Sequence, residues 1–328
     1  MKDILVIGGG SIGERHVRCF QKTGRADVVL CETNDDLRQK LSASYALSRS
    51  FASLDDALAE PFDGAVICTP AQLHVPMAQR LVERRIATLI EKPLSISVDG
   101  VADLLTAVNG HQLPVSVAYV MRQHPALIEM KNALDRGDFG RPVQVVYTGG
   151  QHFPFYRPAY REIYYTKHDT GGGAIQDALT HVMNTAEWIV GPVTRLVADA
   201  EHCVLAGVDV EDTVHVITRH GPVLGAFSLN QHQPVSESRL TVVCERGAAQ
   251  FEGHRNRWLS SREPDGPWQV ENEFTFERDD LFVRQANAFL NQLDASAAAA
   301  CTLDEAWQTL KVNLAALESV RTEKWVQI

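Results

Sequence analysis

Near the start of the chain a short apolar run, Ile4–Ile7, leads straight into Gly8-Gly9-Gly10-Ser11-Ile12-Gly13, and a helical pattern follows at once. This strand–glycine turn–helix unit restricts the fold more than any other feature. The spacing Gly8-x-Gly10-x-x-Gly13 is weak in isolation, because glycine-rich turns are common. Placed after a strand and opening a helix, it is a dinucleotide-binding signature. Gly8 permits the tight turn, Gly10 lets a pyrophosphate approach the backbone, and Gly13 allows close helix–strand packing. The helix start at Ser11 and Ile12 then offers free N–H groups and the positive dipole end to phosphate. Arg15 either adds charge there or faces solvent.

Glu32 closes the second apolar run, Val28–Cys31, about 20 residues further on, where an acid accepts hydrogen bonds from the adenosine ribose. A carboxylate there repels a 2′-phosphate, so NAD is expected over NADP. Arg38, shortly after, is the residue that could tolerate a phosphate.

The first 120 residues keep alternating. Candidate strands are Ile4–Ile7, Val28–Cys31, Gly64–Cys68, Ala87–Ile90 and Val115–Ala118, all continuous apolar runs. Such runs suit a parallel sheet covered on both faces. Helical patterns fall between them, at Ile12–Lys22, Asp35–Ser44, Val75–Arg84 and Val98–Val108. The expectation is an α/β N-terminal Rossmann domain, a doubly wound parallel sheet, over residues 1–120.

Beyond residue 120 the pattern changes. Helices are expected at Pro125–Asp135 and at Ala174–Val190, the latter stopped by Gly191-Pro192. Alternating β-branched stretches follow at Val193–Ala198, Thr213–Thr218, Val223–Leu229 and Arg239–Val243. Two helices, Leu281–Leu293 and Leu303–Val320, close the chain, joined by the small-residue linker 294–302. Residues 121–328 therefore read as an α+β domain with a large, mainly antiparallel open sheet. The closing helices are able to pack back on the Rossmann domain.

Ligands of open α/β sheets bind beyond the carboxyl ends of the strands. Two strands end in polar punctuation: Thr69 and Pro70, with His74 shortly after, and Glu91-Lys92-Pro93. Thr69, Pro70, His74, Glu91 and Lys92 are thus candidates for the cofactor side. Pro93 stops the strand, and a cis Lys92–Pro93 bond is an open alternative. Lys92 is either an exposed loop lysine or a group aimed at the nicotinamide end. Far along the chain, Asp177 and His181 stand at i, i+4 at a helix start and share a face. Such a pair is commonly a surface hydrogen bond, but it also suits general acid–base chemistry near neutral pH.

The net charge of −10 argues against nucleic acid as partner, since backbone binding needs clustered Lys and Arg. Six scattered cysteines without a C-x-x-C pair read as reduced thiols. No signal-like start and no membrane-spanning run of ~20 residues is evident, so a cytoplasmic location is expected. The histidines lack metal-ligand spacing, so no metal is expected.

The segments "GGGSIGERH", "CTPAQLH", "EKPL", "YVMRQHP" and "GGGAIQDALTH", in this order, resemble the Gfo/Idh/MocA family, named for glucose–fructose oxidoreductase and inositol dehydrogenase. The resemblance covers most of the chain. It implies an NAD(P)-dependent dehydrogenase acting on a hydroxyl or carbonyl carbon of a sugar, polyol or sugar derivative. It further implies that Lys92 lies by the nicotinamide and the substrate hydroxyl, that Asp177 and His181 form the catalytic pair, and that Arg122 is the arginine after the last Rossmann strand. The resemblance also implies that residues 121–328 serve substrate binding and oligomerisation, with homodimers or homotetramers through the C-terminal sheet. Ala71, Val120, Gln123 and Asn184 depart from the family pattern.

The segment "FYRPAYREIYYTKHDTGGG" holds four of the seven tyrosines. Either it lines a sugar pocket, through Tyr156, Arg157 and Tyr164 with Arg122, or its tyrosines pack on the core and its arginines are solvated. His152 is placed to approach the same pocket. Two other readings stand beside the first: a family enzyme for an amino sugar, nucleotide sugar, or non-sugar carbonyl or imine, and a non-catalytic dinucleotide-binding regulator.

Overall fold

The computed structural model describes residues 1–162 and 164–328. The elements run β1 (Lys2–Ile7), α1 (Ser11–Lys22), β2 (Ala26–Cys31), α2 (Asp35–Ser44), β3 (Ser50–Phe51), α3 (Leu54–Ala57) and β4 (Gly64–Ile67). Next come α4 (His74–Glu83), β5 (Ala87–Ile90), α5 (Val101–His111), β6 (Val115–Val117), α6 (Pro125–Asp135), β7 (Pro142–His152) and α7 (Phe153–Tyr156). A π-helical turn, Ile175–Leu179, precedes α8 (Thr180–Val190). Then follow β8 (Arg195–Glu201), β9 (Thr213–His220), β10 (Val223–Asn230), β11 (His232–Cys244), β12 (Gly247–Glu252), β13 (Arg257–Ser261) and β14 (Gln269–Glu273). The chain closes with α9 (Asp280–Leu293), α10 (Leu303–Thr322) and β15 (Val326–Gln327).

The described residues form two compact units. One comprises Met1–Gln123 and Glu277–Trp307, the other His124–Phe276 and Gln308–Ile328. The first contains a six-stranded sheet of order β3-β2-β1-β4-β5-β6, parallel at every pair. The order reverses between β1 and β4, the switch point where such sheets bind dinucleotides. Its central strands are wholly buried, which is why they read as unbroken apolar runs.

α9 belongs to this first unit. Ala286, Phe289, Leu290 and Leu293 recur at helical spacing and join the core of β1, β2 and α1. The Phe289 ring meets that of Phe20 edge-on. Each large apolar side chain buried this way contributes about 1.5–3 kcal/mol. At the rim, the Arg18 guanidinium grips both oxygens of Asp279, and Arg25 donates to Asn287, Asn291 and Asp294.

The second unit is built on a nine-stranded sheet, β14-β13-β12-β11-β7-β10-β9-β8-β15. All pairs are antiparallel except β7 with β10, which run parallel at its centre. Strands β9 and β10 alternate buried and open side chains, so one face is covered and the other is not. Polar rungs tie α8 to the later part of α10: Asn184 to Thr309, Glu187 to Thr309 and Gln308, and Thr180 to Asn313.

β7 sits at the centre of the sheet, yet its segment was not expected to be a strand, because Gly149 and Gly150 interrupt its pattern. β12, β13 and β14 were likewise not foreseen. β11 was expected only over Arg239–Val243; its earlier half is separated by a register shift between His232 and Glu237. The helix expected over Ala174–Val190 is continuous, but it opens in π rather than α geometry.

Candidate active site

The glycine turn is shaped as its sequence requires. A Cβ on Gly13 would lie 1.9 Å from the Gly8 carbonyl oxygen, so no other residue fits. A Cβ on Gly10 would meet nothing within 4 Å, leaving open space over the turn. Gly10 caps α1 without a side chain, and the first intrahelical bond runs from Glu14 N–H to Gly10 O. The N–H groups of Ser11, Ile12 and Gly13 are therefore the helix's unmatched leading donors. A cradle of this kind fits a pyrophosphate. Arg15 neither joins it nor faces solvent: it is buried, pairs with Asp279 and lies over the Phe282 ring.

Glu32 stands at the end of β2. One carboxylate oxygen accepts the Gly9 N–H at 2.6 Å and the other the Asn34 N–H at 2.8 Å. These bonds fix the carboxylate beside the glycine turn, where ribose hydroxyls can donate to it. Arg38 is engaged by Asp35 and by the Glu32 carbonyl.

The two polar strand ends are stitched together by His74. Its ring is buried between the Pro93 carbonyl, 2.9 Å from Nδ1, and the Thr69 carbonyl, 2.8 Å from Nε2. Burial holds its pKa below the ordinary imidazole value, with both carbonyls acting against that. The His74 side chain is thus committed to joining the segment after β4 to the segment after β5. Thr69 is half-buried and Pro70 exposed.

The Glu91 side chain also turns inward. Its Oε1 lies 2.7 Å from His16 Nε2, and its Oε2 accepts the Lys92 N–H at 3.0 Å. Burial pushes the Glu91 carboxyl up, but His16 and Lys92 outweigh it and hold the pKa below the usual value. Lys92 itself is half-buried, and the Lys92–Pro93 bond is cis.

In the second unit, Asp177 lies within the π turn and His181 in the first turn of α8. Tyr164 donates its hydroxyl to Asp177 Oδ1 at 2.7 Å. The tyrosine-rich segment divides cleanly. Tyr160 and Tyr165 are buried with Phe153, Leu205, Val208 and Val210 in a small core, and Tyr165 also bonds Gln231. Tyr156 and Tyr164 are 47% and 42% exposed. Arg157 is half-buried, whereas Arg161 is used internally, donating to Ala206 O and stacking on Tyr160. His152 caps α7, accepting the Phe155 N–H. Arg122, a substrate candidate through the family resemblance, is buried in the first unit, donating to Glu305 and to the Ala300 carbonyl. Among the described residues, no three His, Cys, Asp or Glu side chains are grouped to hold a metal ion.

Two features escaped the sequence reading. His16 was part of a recognised segment, but nothing in its spacing announces a partner 75 residues away. Glu211 is buried and reaches the start of the Asp177 segment, accepting the Ile175 N–H at 2.8 Å. The only hint was an acidic Glu-Asp pair directly before an apolar strand.

Residues 2–119 match the family model described as an oxidoreductase family with an NAD-binding Rossmann fold, and residues 127–250 match the GFO/IDH/MocA C-terminal domain. An inositol 2-dehydrogenase of Rhizobium meliloti (strain 1021) is 22% identical over 98% of each chain. Levoglucosan dehydrogenase, solved with NADH and levoglucosan, superposes with a TM-score of 0.89 at 20% identity, covering 100% of this chain and 99% of that one. The WlbA dehydrogenase of Bordetella pertussis, solved with NADH and UDP-GlcNAcA, gives 0.84 at 22% identity, covering 100% and 97%. At these identities the structural likeness speaks for the fold.

Proposed function

The chain belongs to the GFO/IDH/MocA oxidoreductase family, and we propose that it oxidises a hydroxyl-bearing carbon of a sugar, polyol or sugar derivative, or runs the reverse reduction. NAD is its cofactor. The leading N–H groups of α1 and the Glu32 carboxylate are the groups we assign to hold it. Bound there, NAD supplies the hydride acceptor.

Lys92, Asp177 and His181 are the groups we assign to the substrate's chemistry. As the C–H hydride leaves, the hydroxyl proton must leave too, and His181 accepts it at a ring nitrogen. The Lys92 ammonium stabilises the oxygen while it carries negative charge. Asp177, one turn from His181, favours the imidazolium that results. Thr69 and Pro70 we assign to the cofactor's surroundings. His74 and Glu91 we assign to shaping that region from within, since their side chains are already engaged.

The observation that carries this reading is the Tyr164–Asp177 hydrogen bond. It brings an exposed aromatic residue onto a carboxylate of the proposed reacting set. Tyr156, Tyr164 and Arg157 then offer ring faces and donors suited to a polyhydroxylated substrate. Inositol and levoglucosan, named for two similar proteins, are substrates of this kind.

A second reading changes only the substrate, to an amino or nucleotide sugar. The two cations Arg157 and Lys167 on the same segment, and the likeness to WlbA, favour it. A purely regulatory role accords poorly with a chain holding Lys92, Asp177 and His181 together.

The test is to titrate NAD+ and NADP+ into the protein, then screen sugars, polyols and nucleotide sugars by nicotinamide absorbance. Tight NAD+ binding with turnover on one class selects between the two readings. Tight binding with no turnover across the whole panel would overturn both.

We further infer that a second copy covers the open sheet face, where Ile217 and Leu224 are 51% and 44% exposed. Among the described residues the six cysteines form no disulfide, which supports a reducing, cytoplasmic setting. Among the described residues no helix is long and apolar enough to cross a membrane.

A further inference from the structure

Glu211 occupies an unusual position. It is buried, in the loop before β9, and its two carboxylate oxygens serve different segments. Oε1 accepts the Ile175 N–H at 2.8 Å, while its backbone carbonyl accepts the Ala174 N–H at 2.9 Å. These are leading donors of the helical segment that carries Asp177 and His181. Oε2 meets His168 Nε2 at 2.5 Å. Gly173, with φ +89°, is what lets the carboxylate in: a Cβ there would lie 2.5 Å from Oε1.

His168 is tied at its other end as well. Its carbonyl accepts from the buried Gln176 side chain at 3.1 Å. Upstream, the Tyr164 carbonyl accepts the Thr170 hydroxyl at 2.5 Å, and the Tyr164 ring reaches Asp177. Residues 164–170 thus form a bracket with two feet, Tyr164 on Asp177 and His168 on Glu211.

We propose that His168 and Glu211 are positioning residues: their contact seats the 164–170 bracket against the start of the catalytic helix and thereby holds Tyr164 on Asp177. Neither residue touches the reacting atoms. The proposal rests on the catalytic assignment of Asp177 given above, and its structural half can be read without turnover.

The contact is open to bulk protons. A cavity of about 510 Å³ borders His168, Ile175 and Glu211. Its other charged groups are Glu201 and His202 at the end of β8, Asp209 in the following loop, and Glu318 and Arg321 on α10. A second cavity bordering His168 brings Arg161 to the same surroundings, and on the bracket itself Lys167 and Asp169 adjoin His168. The Glu211 hydrogen bond raises the His168 pKa above the ordinary 6.5, against the effect of burial. The sign follows: the charged contact is complete below 6.5 and weakens as pH rises through the raised value. The neutral ring can keep an Nε2–H bond to Glu211, so the seat loosens rather than empties. Charge-assisted hydrogen bonds are roughly twice as strong as neutral ones.

The experiment compares wild type, His168→Gln and Glu211→Gln by backbone hydrogen exchange over residues 164–177, from pH 6 to pH 9, corrected for intrinsic rates. Wild type should lose protection there as pH rises, by about threefold to tenfold. His168→Gln, which keeps a donor but cannot titrate, should remove that dependence. Glu211→Gln should be less protected at pH 6 than wild type. Flat wild-type protection, or the same pH dependence in His168→Gln, would overturn the proposal. On a substrate found by the panel, the wild-type KM should rise over the same pH range and stay flat in His168→Gln. Exchange that behaves as stated while KM does not would leave the bracket standing and count against Asp177 as a catalytic group.

Discussion

The His16 imidazole and the Glu91 carboxylate meet at 2.7 Å inside the first unit, their side chains 0% and 7% exposed. One residue follows the glycine turn; the other precedes Lys92. The pair therefore links the start of α1 to the end of β5, and Glu91 passes the constraint on by accepting the Lys92 N–H. Phe20 and Phe282 pack their rings near His16, which keeps water from replacing either partner.

His16→Leu should destabilise the protein by about 3–5 kcal/mol, because it leaves a buried carboxylate short of its partner. Adding Glu91→Leu should restore part of that loss. Urea unfolding of the two single variants and the double variant checks this. Additive losses would mean that the two side chains do not act as a pair.

Glu32→Ser should erode the preference for NAD+ over NADP+ by at least about tenfold, as it removes the charge that repels a 2′-phosphate. The Gly9 and Asn34 N–H groups lose their acceptor in the same variant. NAD+ affinity should therefore fall as well. Titration of both cofactors gives the answer, and an unchanged ratio would dismiss Glu32 as the ribose reader.

Lys92→Ala and His181→Asn should each lower kcat by about 10²–10⁴-fold, the usual range for a positioned proton-transfer or charge-stabilising group. NAD+ affinity should change little. A turnover number close to wild type in either variant would remove that residue from the mechanism.

Asp212→Ala should cost about 2–4 kcal/mol, since a carboxylate accepting several N–H groups is worth more than a neutral acceptor. It receives the N–H groups of Cys203, Val204 and Leu205 and the Thr213 hydroxyl. Burial raises its pKa, but these donors prevail and hold it below 3.8. The stability it gives is therefore complete above that value and is lost as pH falls through the depressed one. Acid unfolding of wild type and variant should converge at low pH; a constant gap between them would contradict this account.

The Rossmann sheet was legible because burial on both faces leaves unbroken apolar runs, as in Gly64–Ile67 and Ala87–Ile90. β3 has only two residues, too few to form a pattern. β7 was hidden by adjacent glycines, although it is the strand on which both halves of the second sheet are assembled. Among the residues proposed for function, Lys92, Asp177 and Glu32 stood out by type and context. Their supports did not. His16 with Glu91 and His168 with Glu211 are tertiary pairs 75 and 43 residues apart, and no local spacing encodes them. Arg122, a substrate candidate through the family resemblance alone, has partners that no local spacing encodes either: Glu305 and the Ala300 carbonyl.

Because Phe289 and Leu290 complete the core begun by β1 and Phe20, the first unit is finished by the last quarter of the chain. During synthesis its glycine turn emerges first, yet that turn's hydrophobic support arrives only with α9. A nascent chain arrested before Asp280 should hold NAD poorly although every proposed cofactor contact has already been made. In inheritance terms, the chain passes between the two units three times, after Gln123, Phe276 and Trp307, so exchange of the units among relatives would require three crossovers rather than one.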